Sequence, residues 1–245
     1  AEWRVMATSF VVMTWNRGGQ RVTNLLASLL LHQTTPTAEV VLVDTSDVQC
    51  IAEDVCNRAE AFANCTLIQA PRDGLYKSWA LNVGIRATLP SSRWLACTDV
   101  DFLFGPDLVE TIEIQMRPDR YLKAEPMRLP AGLDLSDPWG DFDSLCYRAT
   151  WWGPSGGPGT LQVAPRSWWF RVHGYDERYA AGLGGMDDDV EFRAQASGLS
   201  IGRIPFDTGR ALHQWHPVSP YKDALAHLWN PKADVVANPD GWGQL

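Results

Sequence analysis

The segment WLACTDVDFLF, residues 94–104, places two carboxylates between two apolar runs. The run from Trp94 to Cys97 has the length and composition of a buried strand. Asp99 and Asp101 stand two residues apart, so on an extended chain their side chains share a face. Buried carboxylates are costly unless a cation or hydrogen bonds compensate them. We therefore predict a strand that ends at these acids, in a cleft where a hard divalent cation, Mg²⁺ or Mn²⁺, binds them. A turn, or a helix cap at Pro106, is the alternative interpretation.

Outward from this segment, short apolar strands alternate with helices. The alternation predicts an α/β fold, a mostly parallel sheet flanked by helices on both faces. Ligands bind such sheets beyond the carboxyl ends of the strands. The predicted strands cover residues 8–14, 38–47, 66–70 and 93–99, and the predicted helices cover 17–33, 48–62 and 74–88. The polar residues at these strand ends are Thr14, Asn16, Arg17, Asp44, Asp99 and Asp101.

The second half of the sequence is less regular. Residues 128–160 are rich in Gly, Pro, Asp and Ser, which predicts a long loop, and the part from 140 to 160 is predicted to be a lid that orders over a ligand. Further strands are predicted at 161–165, 199–205 and 210–216, and helices at 186–197 and 219–230. Because neither an internal repeat nor a linker is evident, we predict one domain over residues 1–245.

Composition excludes several classes of function. The formal net charge of −8 and the lack of a long basic run argue against nucleic-acid binding. No run approaches the roughly 20 apolar residues of a transmembrane helix, and no signal peptide is evident, so we expect a soluble, cytoplasmic protein. The five cysteines form no CxxC pair, which favours free thiols in a reducing compartment.

A second acidic cluster, Asp187 to Asp189, follows two glycines and opens a predicted helix. Acids at a helix N-terminus cap the helix and interact favourably with its dipole, which is the structural interpretation. Three consecutive acids exceed that need, and their repulsion raises the pKa of at least one of them. A carboxylate near a substrate hydroxyl, kept as a proton acceptor, is what a general base requires.

Two histidines, His213 and His216, lie on a predicted late strand in RALHQWHP. Imidazole suits Mn²⁺ in a site with mixed nitrogen and oxygen ligands. In a chain that also carries an Asp-x-Asp, the pair favours a metal-ligand role for at least one histidine, and the sequence leaves open which one.

These motifs resemble a known group of proteins. The GT-A glycosyltransferases, in particular the β-1,4-galactosyltransferase type, are resembled by two parts of the sequence. The first is YKSWALNVGIRAT with DVDF, and the second is GYDERYAAGLGGMDDDVEFRAQASGLSIGRI. The N-terminal SFVVMTWNR with VVLVDTSD is similar to family 2 glycosyltransferases. The likeness covers about residues 8–216. It implies a GT-A fold with a nucleotide-binding half at 1–101, an acceptor and catalytic half at 102–216, and a C-terminal helix and tail at 217–245.

The resemblance implies a metal-dependent glycosyltransferase, with Mn²⁺ or Mg²⁺ as cofactor. It would move a sugar, with inversion, from a nucleotide-diphosphate sugar to a hydroxyl of a glycan or other acceptor, and a UDP-sugar is the favoured donor. Asp187 matches the catalytic base and Asp188 an acceptor-binding neighbour. The matched donor-binding positions are Thr14, Asn16, Arg17, Asp44, Lys77, Asn82 and Asp99, and the matched metal-binding positions are Asp99, Asp101, His213 and, in reserve, His216.

The sequence departs from the family pattern where WGWGGEDDD is replaced by AGLGGMDDD. Leu183 occupies the position of a sugar-stacking Trp, and Met186 occupies the position of a Glu. Three other interpretations remain at this stage: a retaining transferase of the same fold, a glycoside hydrolase with two carboxylates, and a Trp-rich carbohydrate-binding module without turnover. The α/β pattern and the acids at the strand ends argue against the last two.

Overall fold

The computed structural model describes residues 8–152, 160–180, 184–217, 225–228 and 234–245. Helices and strands alternate through the first hundred residues, as the sequence predicts. The elements in chain order are β1 (Thr8–Thr14), α1 (Gln20–Leu30), β2 (Glu39–Asp44), α2 (Gln49–Ala59), β3 (Cys65–Gln69), α3 (Lys77–Ala87), β4 (Trp94–Asp99), β5 (Phe102–Phe104), α4 (Leu108–Gln115), β6 (Arg120–Ala124), β7 (Pro126–Arg128), α5 (Phe142–Arg148), β8 (Thr150–Trp151), β9 (Gln162–Pro165), α6 (Arg166–Arg171), α7 (Met186–Ala196), β10 (Ser200–Ile204), α8 (Phe206–Gly209) and β11 (Ala211–His213).

The strands form one large and one small sheet. The large sheet has seven strands in the order β10-β6-β9-β4-β1-β2-β3, and the small sheet has the order β5-β11-β7-β8. Within the large sheet only β9 runs antiparallel, to both β4 and β6. The predicted α/β class with a mostly parallel sheet is confirmed. The chain leaves β1 toward β2 and β3 and returns to β4 on the other side of β1, so the strand order reverses between β1 and β4, where ligands bind in such folds.

The large sheet is buried on both faces, which explains why its strands are apolar throughout. Alternate residues of β1 point to opposite faces. Phe10 and Val12 pack in one core with the leucines of α1, whereas Val11 and Met13 pack in a second core with α3 and α7. Helices therefore cover the sheet on both sides, and its carboxyl edge is left for polar residues.

Helix α3 packs closely on β1 and begins at the carboxyl edge of the sheet. Gly84 makes this approach possible, because a Cβ at that position would collide with the side chain of Val11. The same packing sets Lys77, the first residue of α3, against the ends of the central strands.

The second half differs from the sequence prediction in its loop and in its last strand, which was predicted at 210–216 and ends at His213. The long loop predicted at 128–160 contains a helix, α5, and a short strand, β8, because Phe142 and Leu145 are buried in a small core of their own. The rest of the predicted lid, residues 153–159, lies outside the described residues. The predicted helix 219–230 also lies largely outside them, and its described part contains one 3₁₀ turn at Ala226–Leu228.

Two further sequence predictions concern membranes and thiols. Across the described ranges, no helix is both long and apolar enough to cross a bilayer. All five cysteines are free thiols, and Cys97 is buried in the sheet.

Candidate active site

The carboxyl ends of three central strands lie side by side. Thr14 of β1 stands opposite Asp44 of β2, and Met13 stands opposite Asp99 of β4. The residues that the sequence places at strand ends are therefore brought to one edge of the sheet, next to the point where the strand order reverses.

The loops after β1 and β2 are joined by polar contacts. Asn16 adopts a left-handed backbone conformation, with φ of 49°. Its N–H donates to Ser46 Oγ at 2.9 Å, and its side-chain amide donates to Asp47 at 2.6 Å. Thr14 Oγ1 donates to the carbonyl of Arg17 at 2.8 Å. Asp44 is buried and accepts hydrogen bonds from the N–H and the hydroxyl of Ser46. These side chains shape the two loops, and nucleotide contact by them stays a prediction.

Lys77 links two acids that are far apart in sequence. Its ammonium lies 2.9 Å from Asp99 Oδ1 and 3.5 Å from Asp187 Oδ2, and the Lys77 side chain is buried. Asp99 ends β4 and Asp187 stands in the first turn of α7, so one cation holds the strand end and the helix start together.

Asp101 has different partners. It forms ion pairs with Arg17 and, at 3.8 Å, with Arg21; its Oδ2 lies 3.3 Å from His216 Nε2, and its side chain is only 3% exposed. Its Oδ1 is buried and accepts no hydrogen bond from a described residue. Asp99 and Asp101 thus do not share one point, because the chain turns at Val100 and Asp101 between β4 and β5.

Strand pairing brings the two histidines to Asp101. His213 of β11 stands opposite Phe102 of β5, and the N–H of Gln214 donates to the carbonyl of Asp101 at 2.8 Å. Strand β11 ends at His213, and the chain that follows brings the His216 ring within 4.9 Å of the His213 ring. Asp101 and His213 are 112 positions apart in the sequence, so only the pairing of β5 with β11 makes them neighbours.

Asp101, His213 and His216 form a group with metal-ligand geometry. One ligand atom from each residue lies within 4.8 Å of the others. Burial lowers the pKa of His213 to about 3, so its ring is neutral and free to donate a lone pair. Burial also lowers the pKa of His216. Two neutral imidazoles and the carboxylate of Asp101, whose Oδ1 has no hydrogen-bond partner among the described residues, fit a divalent transition-metal ion such as Mn²⁺. Asp99, which the sequence prediction included, lies outside this group, and its carboxylate is bound by Lys77.

The three acids of α7 have three different environments. Asp187 is 16% exposed, and its Oδ1 is buried without a hydrogen-bond partner among the described residues. Asp188 is exposed. Asp189 is buried and pairs with Arg193 at 2.8 Å, and Arg193 donates in turn to the carbonyl of Gly174. Asp189 therefore anchors the helix, and of the three acids only Asp187 and Asp188 are accessible to solvent.

The carboxyl of Asp187 is tuned by opposing effects. Burial raises its pKa to about 6; the ammonium of Lys77 lowers the pKa, and the negative charge of Asp99 raises it. A carboxyl with a pKa near 6 is largely ionised at neutral pH and is a stronger base than an ordinary aspartate, which suits proton abstraction.

Asn82 is the predicted donor-site residue that the structure places elsewhere. It is fully buried, and its amide bonds the N–H and the carbonyl of Tyr175 and the carboxylate of Glu177. Asn82 lies on the second turn of α3, whose face toward residues 175–177 is buried. Its three hydrogen bonds hold that segment, and contact of Asn82 with a sugar donor stays a prediction.

Two residues at the site were missed by the sequence prediction. Gln162 of β9 is buried, and its Nε2 donates to the carbonyl of Asp187 at 3.1 Å, which fixes the start of α7. A polar residue inside the apolar segment LQVAP was the available signal. Arg21, on the first turn of α1, approaches Asp101 and carried no signal, because its role depends on how α1 packs.

Comparison with known proteins identifies the families that the two halves of the chain resemble. Residues 9–120 match the family model described as "Glycosyl transferase family 2", and residues 142–217 match the one described as "N-terminal domain of galactosyltransferase". No curated protein sequence matches the chain significantly.

Solved structures share the fold at low identity. GalNAc-T7 with UDP, GalNAc and Mn²⁺ aligns with a TM-score of 0.62 at 16% identity, over 86% of this chain and 43% of its own. The mannosyltransferase PcManGT from Pyrobaculum calidifontis, with GDP-Man and Mn²⁺, aligns with a TM-score of 0.59 at 21% identity, over 87% and 58%. TarS from S. aureus aligns with a TM-score of 0.57 at 16% identity, over 86% and 37%. The chain spans between 37% and 58% of the length of these structures.

The chain therefore has the GT-A fold of the glycosyltransferases. Within it, residues 9–120 resemble family 2 glycosyltransferases, and residues 142–217 resemble the galactosyltransferase domain. The family resemblance predicted from the sequence is confirmed, and the comparisons support the predicted glycosyltransferase class.

Proposed function

We propose that this chain is a metal-dependent glycosyltransferase that moves a sugar from a nucleotide-diphosphate sugar to a hydroxyl acceptor with inversion. One observation carries the proposal: the Lys77-linked acids Asp99 and Asp187 and the group Asp101, His213 and His216 lie at the same strand ends of a GT-A sheet. Two GT-A structures of similar fold, GalNAc-T7 and PcManGT, were solved with Mn²⁺ and with UDP or GDP-Man, which supports a nucleotide-sugar donor.

The ligand set favours Mn²⁺ over Mg²⁺ as the cofactor. Mg²⁺ prefers oxygen ligands, whereas two imidazoles and one carboxylate suit a transition metal. Asp101, His213 and His216 would hold the ion, and when bound it neutralises charge that develops on a diphosphate leaving group. Arg17 and Arg21, which already approach Asp101, add positive charge where that leaving group would lie.

The protein's own groups then account for the remaining steps. Asp187 accepts the proton of the acceptor hydroxyl through its unpartnered Oδ1. Lys77 holds the other oxygen of that carboxylate and fixes its orientation. The loops after β1 and β2 contact the nucleotide, through Thr14, Asn16, Arg17 and Asp44. A single base that takes this proton directly supports inversion; a retaining transfer on the same fold is the alternative.

The test is a screen of UDP- and GDP-sugars with Mn²⁺ and a panel of glycan acceptors, followed by NMR of the product anomer. We expect nucleotide release that depends on the sugar donor and on Mn²⁺, with a product of inverted anomeric configuration. A product of retained configuration would replace inversion by the alternative. Glycan hydrolysis that needs no nucleotide and persists in EDTA would indicate a glycoside hydrolase. Saccharide binding without turnover would indicate a binding module.

A further inference from the structure

A cavity of about 480 Å³ lies next to the metal-ligand group. Arg21, one of its lining residues, approaches Asp101, and Gln214 and Trp215 line it from the short segment between the two histidines. Lys77, Asp99 and Asp187 do not line it. Its volume falls within the range of about 300–1,000 Å³ that is typical of small-molecule sites.

One wall carries a buried donor without a partner. Gln214 is 1% exposed, and its side-chain Nε2 has no hydrogen-bond partner among the described residues. Its other polar groups are held in place: Oε1 accepts from Asn24 at 3.1 Å, and the backbone N–H donates to Asp101. A buried amide donor without an acceptor is unfavourable, so this geometry indicates a ligand that accepts from Gln214.

The other walls define which ligand fits. Arg21 contributes a donor, and its guanidinium is held by the carbonyl of Trp215 at 2.9 Å. Asp134 contributes an acceptor on the facing loop. The indole of Trp215 is 49% exposed and offers an apolar face. An anion would meet the carboxylate of Asp134, and a purely apolar ligand would leave Gln214 unpaired. Hydroxyl groups both donate and accept, so they match all of these side chains.

We propose that this cavity binds a neutral saccharide unit. Its hydroxyls bond Gln214 Nε2, Arg21 and Asp134, while one C–H face of the ring packs on Trp215 and removes apolar surface from water. The site goes beyond the proposed function, because Arg21 is the one residue that it shares with the groups assigned to the donor or to proton transfer. Its occupancy requires neither nucleotide nor metal.

The experiment uses the whole chain in EDTA without nucleotide, labelled with ¹⁵N at the tryptophan indoles. The probes are glucose, galactose, mannose, N-acetylglucosamine, maltose, cellobiose and lactose. We expect at least one of them to shift the Trp215 indole resonance, which is assigned by its loss in Trp215→Ala. Affinity for that saccharide should fall about tenfold or more in Trp215→Ala and in Gln214→Leu, with folding checked by circular dichroism.

Trp151→Ala is the matched control, since Trp151 is also an exposed tryptophan, at 64%, but does not line the cavity. It should bind the saccharide as the parent chain does. The proposal is overturned if no probe shifts Trp215, or if inorganic phosphate shifts it and no saccharide does. It is also overturned if Trp151→Ala loses saccharide binding while Trp215→Ala keeps it. Failure of nucleotide-sugar turnover would leave these results unchanged, since the measurement contains no donor.

Discussion

Lys77 and Asp187 are joined by an ion pair of 3.5 Å, and the same ammonium also binds Asp99 at 2.9 Å. The two acids carry like charge and would repel each other without this cation. The structure thus couples a residue at the end of β4 to the proposed base on α7. The charge balance of three side chains sets how readily that base takes a proton.

Replacing the proposed base should separate proton transfer from binding. Asp187→Asn keeps the size of the side chain and removes the proton acceptor. We expect turnover to fall by about 10²–10⁴-fold, the usual contribution of general-base catalysis, with Mn²⁺ and donor affinity retained. Steady-state kinetics and calorimetric titration of the nucleotide measure the two effects.

Asp188→Asn is the comparison for this change, because its carboxyl is exposed and lies one position along the same helix. It should lower turnover far less than Asp187→Asn does. A large loss in Asp188→Asn with near-normal turnover in Asp187→Asn would transfer the role of base to Asp188.

The pH dependence of turnover should report the Lys77 network. Since the pKa of Asp187 is raised to about 6, its base form is lost as the pH falls through that value, and kcat/KM should fall on the acid side near pH 6. Lys77→Gln removes the cation that lowers this pKa, so the acid limb should move to higher pH by about one pH unit or more.

Asp99→Asn should shift the acid limb of the pH profile in the opposite direction. It removes the negative charge that raises the pKa of Asp187, so the acid limb should move to lower pH. Profiles of kcat/KM for the three proteins between pH 5 and 9 give the comparison. Limbs that coincide would mean that the observed ionisation belongs to a group other than Asp187.

Metal binding should depend on the group that strand pairing assembles. His213→Ala, His216→Ala and Asp101→Asn should each weaken Mn²⁺ binding by at least about 10- to 100-fold, since even partners outside the first coordination sphere contribute that much. The measurement is a titration of free Mn²⁺ by electron paramagnetic resonance, without substrate. His227→Ala, an exposed histidine outside the group, should bind Mn²⁺ as before. Unchanged affinity in both His213→Ala and His216→Ala would contradict the assignment.

The third acid of α7 should matter for stability. Asp189 and Arg193 are 2% and 1% exposed, so Arg193→Met leaves a buried carboxylate without its partner. The free energy of unfolding should fall by about 3–5 kcal/mol. Arg58→Met is the control: Arg58 pairs with Asp54 in the same i,i+4 arrangement, but these side chains are 29% and 37% exposed, and a pair open to solvent contributes about 0–1 kcal/mol. Urea denaturation compares the two, and equal losses would argue against the buried pair as the anchor of α7.

The sequence predicts the fold well because parallel strands align their carboxyl ends. Once β1, β2 and β4 are identified, the acids Asp44 and Asp99 must meet at one edge, whatever the details of the loops. The sequence also predicts that a late histidine joins the Asp-x-Asp, although it does not show that both histidines do.

Other features depend on contacts that a linear pattern does not encode. On an extended strand, the side chains of Asp99 and Asp101 would point to the same face. The chain turns at Val100, so the two carboxylates have different partners. Asn82 and Lys77 lie on the same short helix, and only the packing of α3 decides that Lys77 meets the acids and Asn82 meets residues 175–177. Helix α5 is hidden in the sequence by the Gly and Pro residues around it.

The pairing of β11 with β5 has a consequence for how the chain matures. The carboxylate of the metal-ligand group is synthesised more than a hundred residues before its imidazoles, and the three ligands meet only after β11 inserts between β5 and β7. Chains released from the ribosome before this strand would contain Asp101 without His213 and His216. We therefore expect Mn²⁺ binding to distinguish fully folded chains from truncated or misassembled forms, in which these three residues have not met.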